Sequence, residues 1–547
     1  MKELIKKDKV KIFFKEKVAN FFKNNGMLIL FSVLLLWISL LLIQTADNYI
    51  MQDTFNQKPT SMLIPLFSEG FGTVAVWITV IPIGIYLILF SIIGKKELDL
   101  SKVFLIIAIP LGIIYMIISP LGRIPDENSH SRRAYEVSLG YLITDVDEEK
   151  SEFGRLLPKD LTLVDLDNTS YNIYKEKIDS LVAEEGVEAT EDGTKTPEEF
   201  LTFGNVAVYT FVSYVPQAIG IALSRIFTDN ILVQMYVGRV FNFAIYVAIM
   251  YFSLKIIPFK KLAVFMIAFL PIAMQQAASL SPDALTNSLS IFFVSYVLHL
   301  IYREDKMTRK DYIILAISSI LVAIIKIIYL PLCALVFLIP DKKFDTRKKK
   351  WIILIAIFIA SVILNLAWLK FANAKYPQAY HNANQKEQIA FVLQDPYRYI
   401  TTCFRDVHLR LDFYLFGLSG RDMSYIDIDI SYIAVFTMLF LLVYSFIIDD
   451  ESKIKPNWIV KGFFALIFLA IVALLFTSEY LTWNPVGNYW VNGIQPRYFI
   501  PMLLLIAVIS NLSNIKMEKK YDYRYIYMLI ISINLHAVIT MVNIFMK

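Results

Sequence analysis

Apolar runs of about 17–22 residues recur along this chain, each long enough to cross the roughly 30 Å hydrocarbon core of a bilayer. They lie near residues 27–43, 71–93, 102–119, 232–254, 261–280, 283–302, 351–371, 431–448, 458–476, 498–513 and 525–545. A water-soluble fold could not hide them. With 57% of its 547 residues hydrophobic and only 18% charged, such a chain would expose large contiguous apolar patches. The fold class is therefore an all-α polytopic membrane protein. The first run follows a basic stretch without a small-residue cleavage site, so it reads as a retained segment. Cys333 lies in an apolar run and Cys403 in a polar loop, which argues against a disulfide framework or a Cys-based metal site.

Basic clusters set the orientation, because Lys and Arg are retained on the cytoplasmic side. They occur at Lys2–Lys23, Lys95-Lys96, Lys260-Lys261, Arg303–Lys310, Lys342–Lys350 and Lys516–Arg524. The segment from Asp126 to Glu199 has 20 Asp and Glu against 8 Lys and Arg, as suits an extracytoplasmic loop. The stretch from Val206 to Ile226 carries Pro216 in its middle and reads as an interfacial or re-entrant helix. The stretch from Tyr312 to Pro340 lies between two cytoplasmic clusters, so it reads as two short helices meeting near Lys326 and Pro331. About 13 crossings result.

The chain thus divides into a basic N-terminus (1–26), a first group of membrane helices (27–120), a large extracytoplasmic loop (121–230), central helices (231–372), a second outer loop (373–430) and C-terminal helices (431–547) with a short outer loop at 478–497. The large loop is expected to carry interfacial helices, such as Tyr171–Glu185, and a mobile acidic tip at Glu184–Glu199.

Ionisable residues at a membrane edge are costly, and a functional reading is their default. Just after the third run comes Pro125-Asp126-Glu127-Asn128-Ser129-His130-Ser131-Arg132-Arg133-Ala134. Proline ends the helix and presents the two carboxylates at the outer interface, where either can act as a general base. The plainer alternative is that Asp126 caps a helix running to Gly140. Downstream, Gly493–Pro501 brings Gln495, Arg497 and Tyr498 to a helix entrance, and a guanidinium there suits a phosphate unless it merely snorkels. Lys326 stands alone in an apolar run and needs an anionic partner. Arg239 opens another run, and Asp283 in Ser281-Pro282-Asp283-Ala284 either caps a helix or touches substrate. Glu479, Trp483 and Trp490 lie towards the third outer segment, where tryptophan can stack on a sugar. The sequence carries no Walker A motif, nucleotide-binding glycine loop, HExxH or paired CxxC, so neither soluble-nucleotide chemistry nor nucleic-acid binding is expected.

Three motifs in order, "PDE..H..RA" (Pro125 to Ala134), "SPDA" (Ser281 to Ala284) and "G.Q.RYF.P" (Gly493 to Pro501), resemble a family of uncharacterised multi-pass bacterial membrane proteins. That family is in turn similar to the GT-C class of glycosyltransferases. The resemblance spans about residues 100–515, with Pro496 standing where the family is expected to carry glycine. It implies an extracytoplasmic active site, an acidic residue of the first outer loop as the base, a polyprenyl-phosphate sugar as donor, and inversion at the anomeric carbon.

The resulting expectation is a transferase of the bacterial cell membrane that glycosylates a cell-envelope glycan or polymer. Asp126 and Glu127 are its catalytic carboxylates, with their roles exchangeable. Arg497, Lys326 and Arg239 hold phosphate. His130, Arg132, Arg133, Asp283, Gln495 and Tyr498 line the substrate site. No cofactor is required; a divalent cation, Mg or Mn, would fall to Asp126, Glu127 and His130. The rivals are a flippase or transporter of lipid-linked sugars and a polysaccharide polymerase or ligase.

Overall fold

The computed structural model describes residues 99–150, 152–165, 198–376, 382–424, 428–448, 452, 454–510 and 523–545. The runs at 27–43 and 71–93, the stretch Tyr171–Glu185 and most of the acidic tip lie outside them. Among the described residues, five helices are long and apolar enough to cross a membrane. They are α1 (Leu100–Ile118), α4 (Ile231–Ile256), α7 (Asp283–Tyr302), α9 (Arg347–Lys375) and α14 (Trp458–Thr482). Between α1 and α4 come α2 (Glu127–Ser138) and α3 (Val215–Ser224). Shorter helices fill in the rest: α5 (Lys261–Ala268), α6 (Pro271–Ala277), α8 (Arg309–Ile325), α10 (Gln385–Gln394), α11 (Pro396–Leu409), α12 (Leu411–Leu418), α13 (Tyr432–Ile447), α15 (Leu503–Ile509) and α16 (Arg524–Phe545).

Burial separates the roles of the long helices. Helix α7 is enclosed along almost all its length, so Thr286, Asn287, Ser288, Ser290 and Ser295 can sit within it away from lipid. Helix α9 lies at the other extreme. Ile352, Ile355, Ile359, Ile363 and Leu366 are exposed at three- and four-residue spacing, a stripe that presents one apolar face to the bilayer.

Several apolar stretches depart from continuous α-helices, for reasons visible in the chain; the run near 498–513 opens as a 3-10 helix at Pro496–Met502, with Pro501 inside it, before α15. The run at 261–280 is not one helix: α5 stops at Ala268 and α6 restarts with Pro271 in its first turn, where a missing N–H costs nothing. The Tyr312–Pro340 stretch is two segments, as expected. Helix α8 ends at Lys326, whose backbone is extended, and a 3-10 helix at Ile327–Leu338 follows with Pro331 inside it. Lys260, also read from sequence as a cytoplasmic marker, is buried; its Nζ donates to the carbonyls of Phe446 (2.8 Å) and Ile448 (2.6 Å) and so satisfies the C-terminus of α13.

The large loop is not purely helical. It holds a three-stranded antiparallel sheet in the order β1 (Asp145–Asp147), β2 (Glu152–Pro158), β3 (Glu198–Thr202). Asp145 faces Gly154, which faces Thr202. The sheet is fastened to α2 through Glu136, whose buried carboxylate accepts from Arg133, from Thr144 (2.8 Å) and from Arg155 (2.7 Å). Arg133 also donates to the Leu142 carbonyl at 2.8 Å.

Helices α3 and α4 pack so closely that a Cβ on Gly220 would lie 2.7 Å from the Val237 carbonyl oxygen of α4. Backbone cannot yield as a side chain can, so Gly220→Val is expected to cost about 1–3 kcal/mol. A lower thermal midpoint in detergent is the readout; an unchanged midpoint would show that the two helices separate more easily than this.

Candidate functional site

The site begins with a buried ion pair. Glu127 opens α2 and is fully buried, as is Arg239 of α4. Arg239 donates from Nε (2.9 Å) and Nη2 (2.7 Å) to Oε1 and from Nη2 to Oε2 (2.7 Å). Its remaining capacity goes to the carbonyls of Ser119 (2.6 Å) and Pro120 (3.0 Å) just beyond α1. Glu127 also accepts from the backbone N–H groups of Gly122 (3.0 Å) and Leu280 (3.0 Å). One carboxylate and one guanidinium thereby join the end of α1, the start of α2, the middle of α4 and the turn before α7. Two buried amides complete that turn: Asn242 Nδ2 donates to the carbonyls of Ser279 (2.7 Å) and Ser281 (2.9 Å), and Gln217 Nε2 to Leu280 (3.2 Å).

Asp126 is set apart from its neighbour. Residues Ile124 to Glu127 form a turn closed by the Glu127 N–H on the Ile124 carbonyl (2.9 Å), with Pro125 second and Asp126 third. Asp126 has φ 63° and ψ 13°, the conformation the third place of a type II turn requires and glycine usually supplies. Its side chain makes no helix-capping hydrogen bond, so capping does not explain this acid. The carboxylate is partly exposed instead. Oδ1 accepts from Asn205 Nδ2 at 3.2 Å, and Oδ2 lies 3.5 Å from Arg497 Nη2.

Arg497 ties the third motif to the other two. Its Nε lies 3.1 Å from Asp283 Oδ2, while Lys326 Nζ lies 3.4 Å from Asp283 Oδ1 and 4.1 Å from the centre of the Tyr498 ring, a cation–π distance. Tyr329 fixes Tyr498 by donating to its carbonyl at 2.8 Å. The side chain of Arg497 is only 4% exposed, yet among the described residues its Nη1 has no hydrogen-bond partner. A buried guanidinium nitrogen left without an acceptor is costly, and an anionic ligand would supply one. Pro496 packs directly on Gly417, which has no room for a Cβ; the proline at this motif position is matched by a glycine on α12.

His130 follows on α2. Its Nδ1 is hydrogen-bonded to the Tyr214 hydroxyl at 2.9 Å, with the Tyr209 ring on another side. Burial pushes its pKa down to about 4, against the opposing pull of Asp126 and Asp283 and with help from Arg497 and Lys326. The imidazole is therefore neutral near pH 7.

The remaining sequence candidates fall elsewhere. Arg132 pairs with Asp165 and donates to the Thr202 carbonyl (2.7 Å), binding α2 to β3. Arg133 belongs to the Glu136 knot. Gln495 precedes the 3-10 helix at Pro496–Met502, half-buried, and its side chain makes no hydrogen bond among the described residues. Asp126, Glu127 and His130 are not brought together as a ligand set, because the Glu127 carboxylate is turned away to Arg239. Among the described residues no group of three or more His, Cys, Asp or Glu side chains is placed to hold a metal ion. Asn205, Gln217, Asn242, Tyr209 and Tyr214 also belong to the site but do not stand out in the sequence, because they are uncharged.

A family model described as predicted membrane protein (DUF2142) matches residues 109–506, and the chain belongs to that family. No curated protein and no solved structure matches it.

The two acids separate experimentally. Removing one partner of a buried ion pair costs about 3–5 kcal/mol, so Glu127→Gln and Arg239→Leu should each lower thermal stability sharply, while Asp126→Asn stays within about 0.5 kcal/mol of wild type. Equal loss in all three would contradict the division of roles. The folded pKa of His130, about 4, lies below its ordinary 6.5. The unfolded chain therefore binds the extra proton between those values, and stability falls as pH drops through that window. His130→Gln should flatten this part of the stability–pH curve; an unchanged slope would place the dependence on other groups.

Proposed function

We propose that this membrane protein is a GT-C-like glycosyltransferase that moves a sugar from a polyprenyl-phosphate carrier to a cell-envelope glycan at the extracytoplasmic face of the bacterial cell membrane. The observation that carries the reading is a partly exposed carboxylate, Asp126, beside a buried guanidinium, Arg497, whose Nη1 is unpartnered among the described residues and which shares Asp283 with Lys326. A base next to an anion site is what displacement of a phosphate leaving group needs.

The helix directions support the sidedness. Asp283 begins α7 and Arg303 follows its end, about 30 Å apart at 1.5 Å per residue. Lys326 likewise ends α8, which opens at Arg309-Lys310. The charged site and the basic clusters are at opposite ends of the same helices, and the clusters belong inside.

In the proposed reaction the acceptor hydroxyl gives its proton to the Asp126 carboxylate as its oxygen bonds to the anomeric carbon from the face opposite the phosphate. The bond from that carbon to the phosphate oxygen breaks, and the lipid phosphate departs with the electron pair. Arg497 and Lys326 stabilise the charge it gains, and Asp283 holds those two cations in place. Neutral His130 and Tyr209 border the acceptor side. Glu127 and Arg239 fix the geometry without touching substrate.

Purified protein assayed with a panel of polyprenyl-phosphate sugars and cell-envelope acceptors tests this. Asp126→Asn is expected to lower turnover by about 10²–10⁴-fold with donor binding retained, whereas Arg497→Gln weakens donor binding itself. Movement of lipid-linked sugar across proteoliposome membranes without transfer would overturn the enzyme in favour of a transporter.

A further inference from the structure

One acid near the site is used by neither the ion pairs nor the proposed proton transfer. Glu479 lies in the last turn of α14, half-buried. It is within charge-interaction range of Lys326 and Arg497, but Asp283 already pairs with both cations. Among the described residues its carboxylate has no hydrogen bond and no ion pair. The local fold does not depend on that carboxylate either, because the end of α14 is closed through the Glu479 backbone: its carbonyl accepts from the Trp483 N–H (2.9 Å) and from Asn484 Nδ2 (2.9 Å).

The carboxylate nevertheless lies against the third motif. Gly493, the first residue of the third motif, has φ +98°; a Cβ there would lie 2.5 Å from Glu479 Oε2 and 2.9–3.0 Å from the Trp483 ring. The motif's glycine thus makes room for an acid and an indole that converge on its backbone, four residues before Arg497. Half-open to solvent and claimed by no protein group among the described residues, this carboxylate is available to a ligand, and a carboxylate beside an aromatic ring offers what a sugar recognises. Its two oxygens accept from ring hydroxyls, while the indole covers the apolar face of the ring.

We infer that Glu479 is the sugar-recognition carboxylate of this site, accepting hydrogen bonds from hydroxyls of the donor's sugar ring, with Trp483 as the wall beside it. This rests on the transferase reading and deepens it. The phosphate is held by Arg497 and Lys326, the sugar attached to it by Glu479, and Asp126 approaches the anomeric carbon from the acceptor side. Glu479 is a specificity residue here and is distinct from the base.

The test compares two probes on detergent-purified protein: bare undecaprenyl phosphate, and undecaprenyl-phosphohexoses carrying glucose, galactose or mannose. Wild type should bind one hexose probe at least about tenfold more tightly than the bare carrier, the scale of a hydrogen bond to a charged group. Glu479→Gln should erase that preference while holding the bare-carrier affinity within about twofold, which also shows that the variant is folded. Glu479→Asp should fall between. A preference that survives Glu479→Gln, equal weakening of both probes, or no preference in wild type would overturn the assignment. Failure of wild type to bind even the bare carrier, or carrier binding that survives Arg497→Gln, would overturn the transferase reading and this assignment with it.

Discussion

The Glu127–Arg239 pair is the interaction on which the rest depends. Both side chains are removed from water, so each is tolerable only because the other neutralises it and because nearly all their remaining hydrogen-bonding capacity is met by backbone. Those backbone groups belong to the end of α1 and to the turn before α7. The pair therefore sets where α2 starts, and with it where Asp126 stands. It also sets where α7 starts, and with it where Asp283 stands. A buried bidentate pair is a poor source of net stability but a strict source of geometry, and geometry is what a site assembled from distant segments requires.

That constraint gives two adjacent acids different environments. Asp126 lies just outside the helix with a left-handed backbone, so its side chain leaves in a different direction from that of Glu127, the first helical residue. Glu127 turns inward to Arg239 while Asp126, held in a left-handed turn by Pro125, faces Asn205 and Arg497. The third motif then closes the site from the other end of the chain, with Arg497 bridging Asp126 and Asp283. Lys326 arrives at the break between α8 and the 3-10 helix, beneath the same acid. Two cations are thus positioned by one fully committed carboxylate, leaving Arg497 Nη1 available to an anion and Asp126 partly open to solvent.

Much of this was legible in the sequence because charges are rare in apolar runs. Asp126, Asp283, Lys326 and Arg497 stood out for that reason, and the structure brings those four together. The long helices and the break at Lys326 were equally readable, since hydropathy and proline report them directly. Other features were hidden for physical reasons. Asp126-Glu127 gives no clue to which acid is buried, because that depends on Arg239, more than a hundred residues away. The sheet of the large loop has strands only 3, 7 and 5 residues long, two of them separated by an acidic stretch, so no period emerges. Arg132 and Arg133 resemble ligand-binding cations in sequence because their partners, Asp165 and Glu136, do not stand out among the many acids of this segment. The division of the run at 261–280 was signalled by Pro271 alone.

Asp126, Asp283, Lys326 and Arg497 form the site proposed to bind a lipid-linked phosphate. A cryo-EM structure of the protein with undecaprenyl phosphate tests it most directly. Phosphate density is expected within hydrogen-bonding distance of Arg497 Nη1 and Lys326 Nζ, beside Asp126, with the prenyl chain leaving towards the bilayer. Density at the basic end of the helices instead, near Arg303 to Lys310, with none at Arg497, would contradict it.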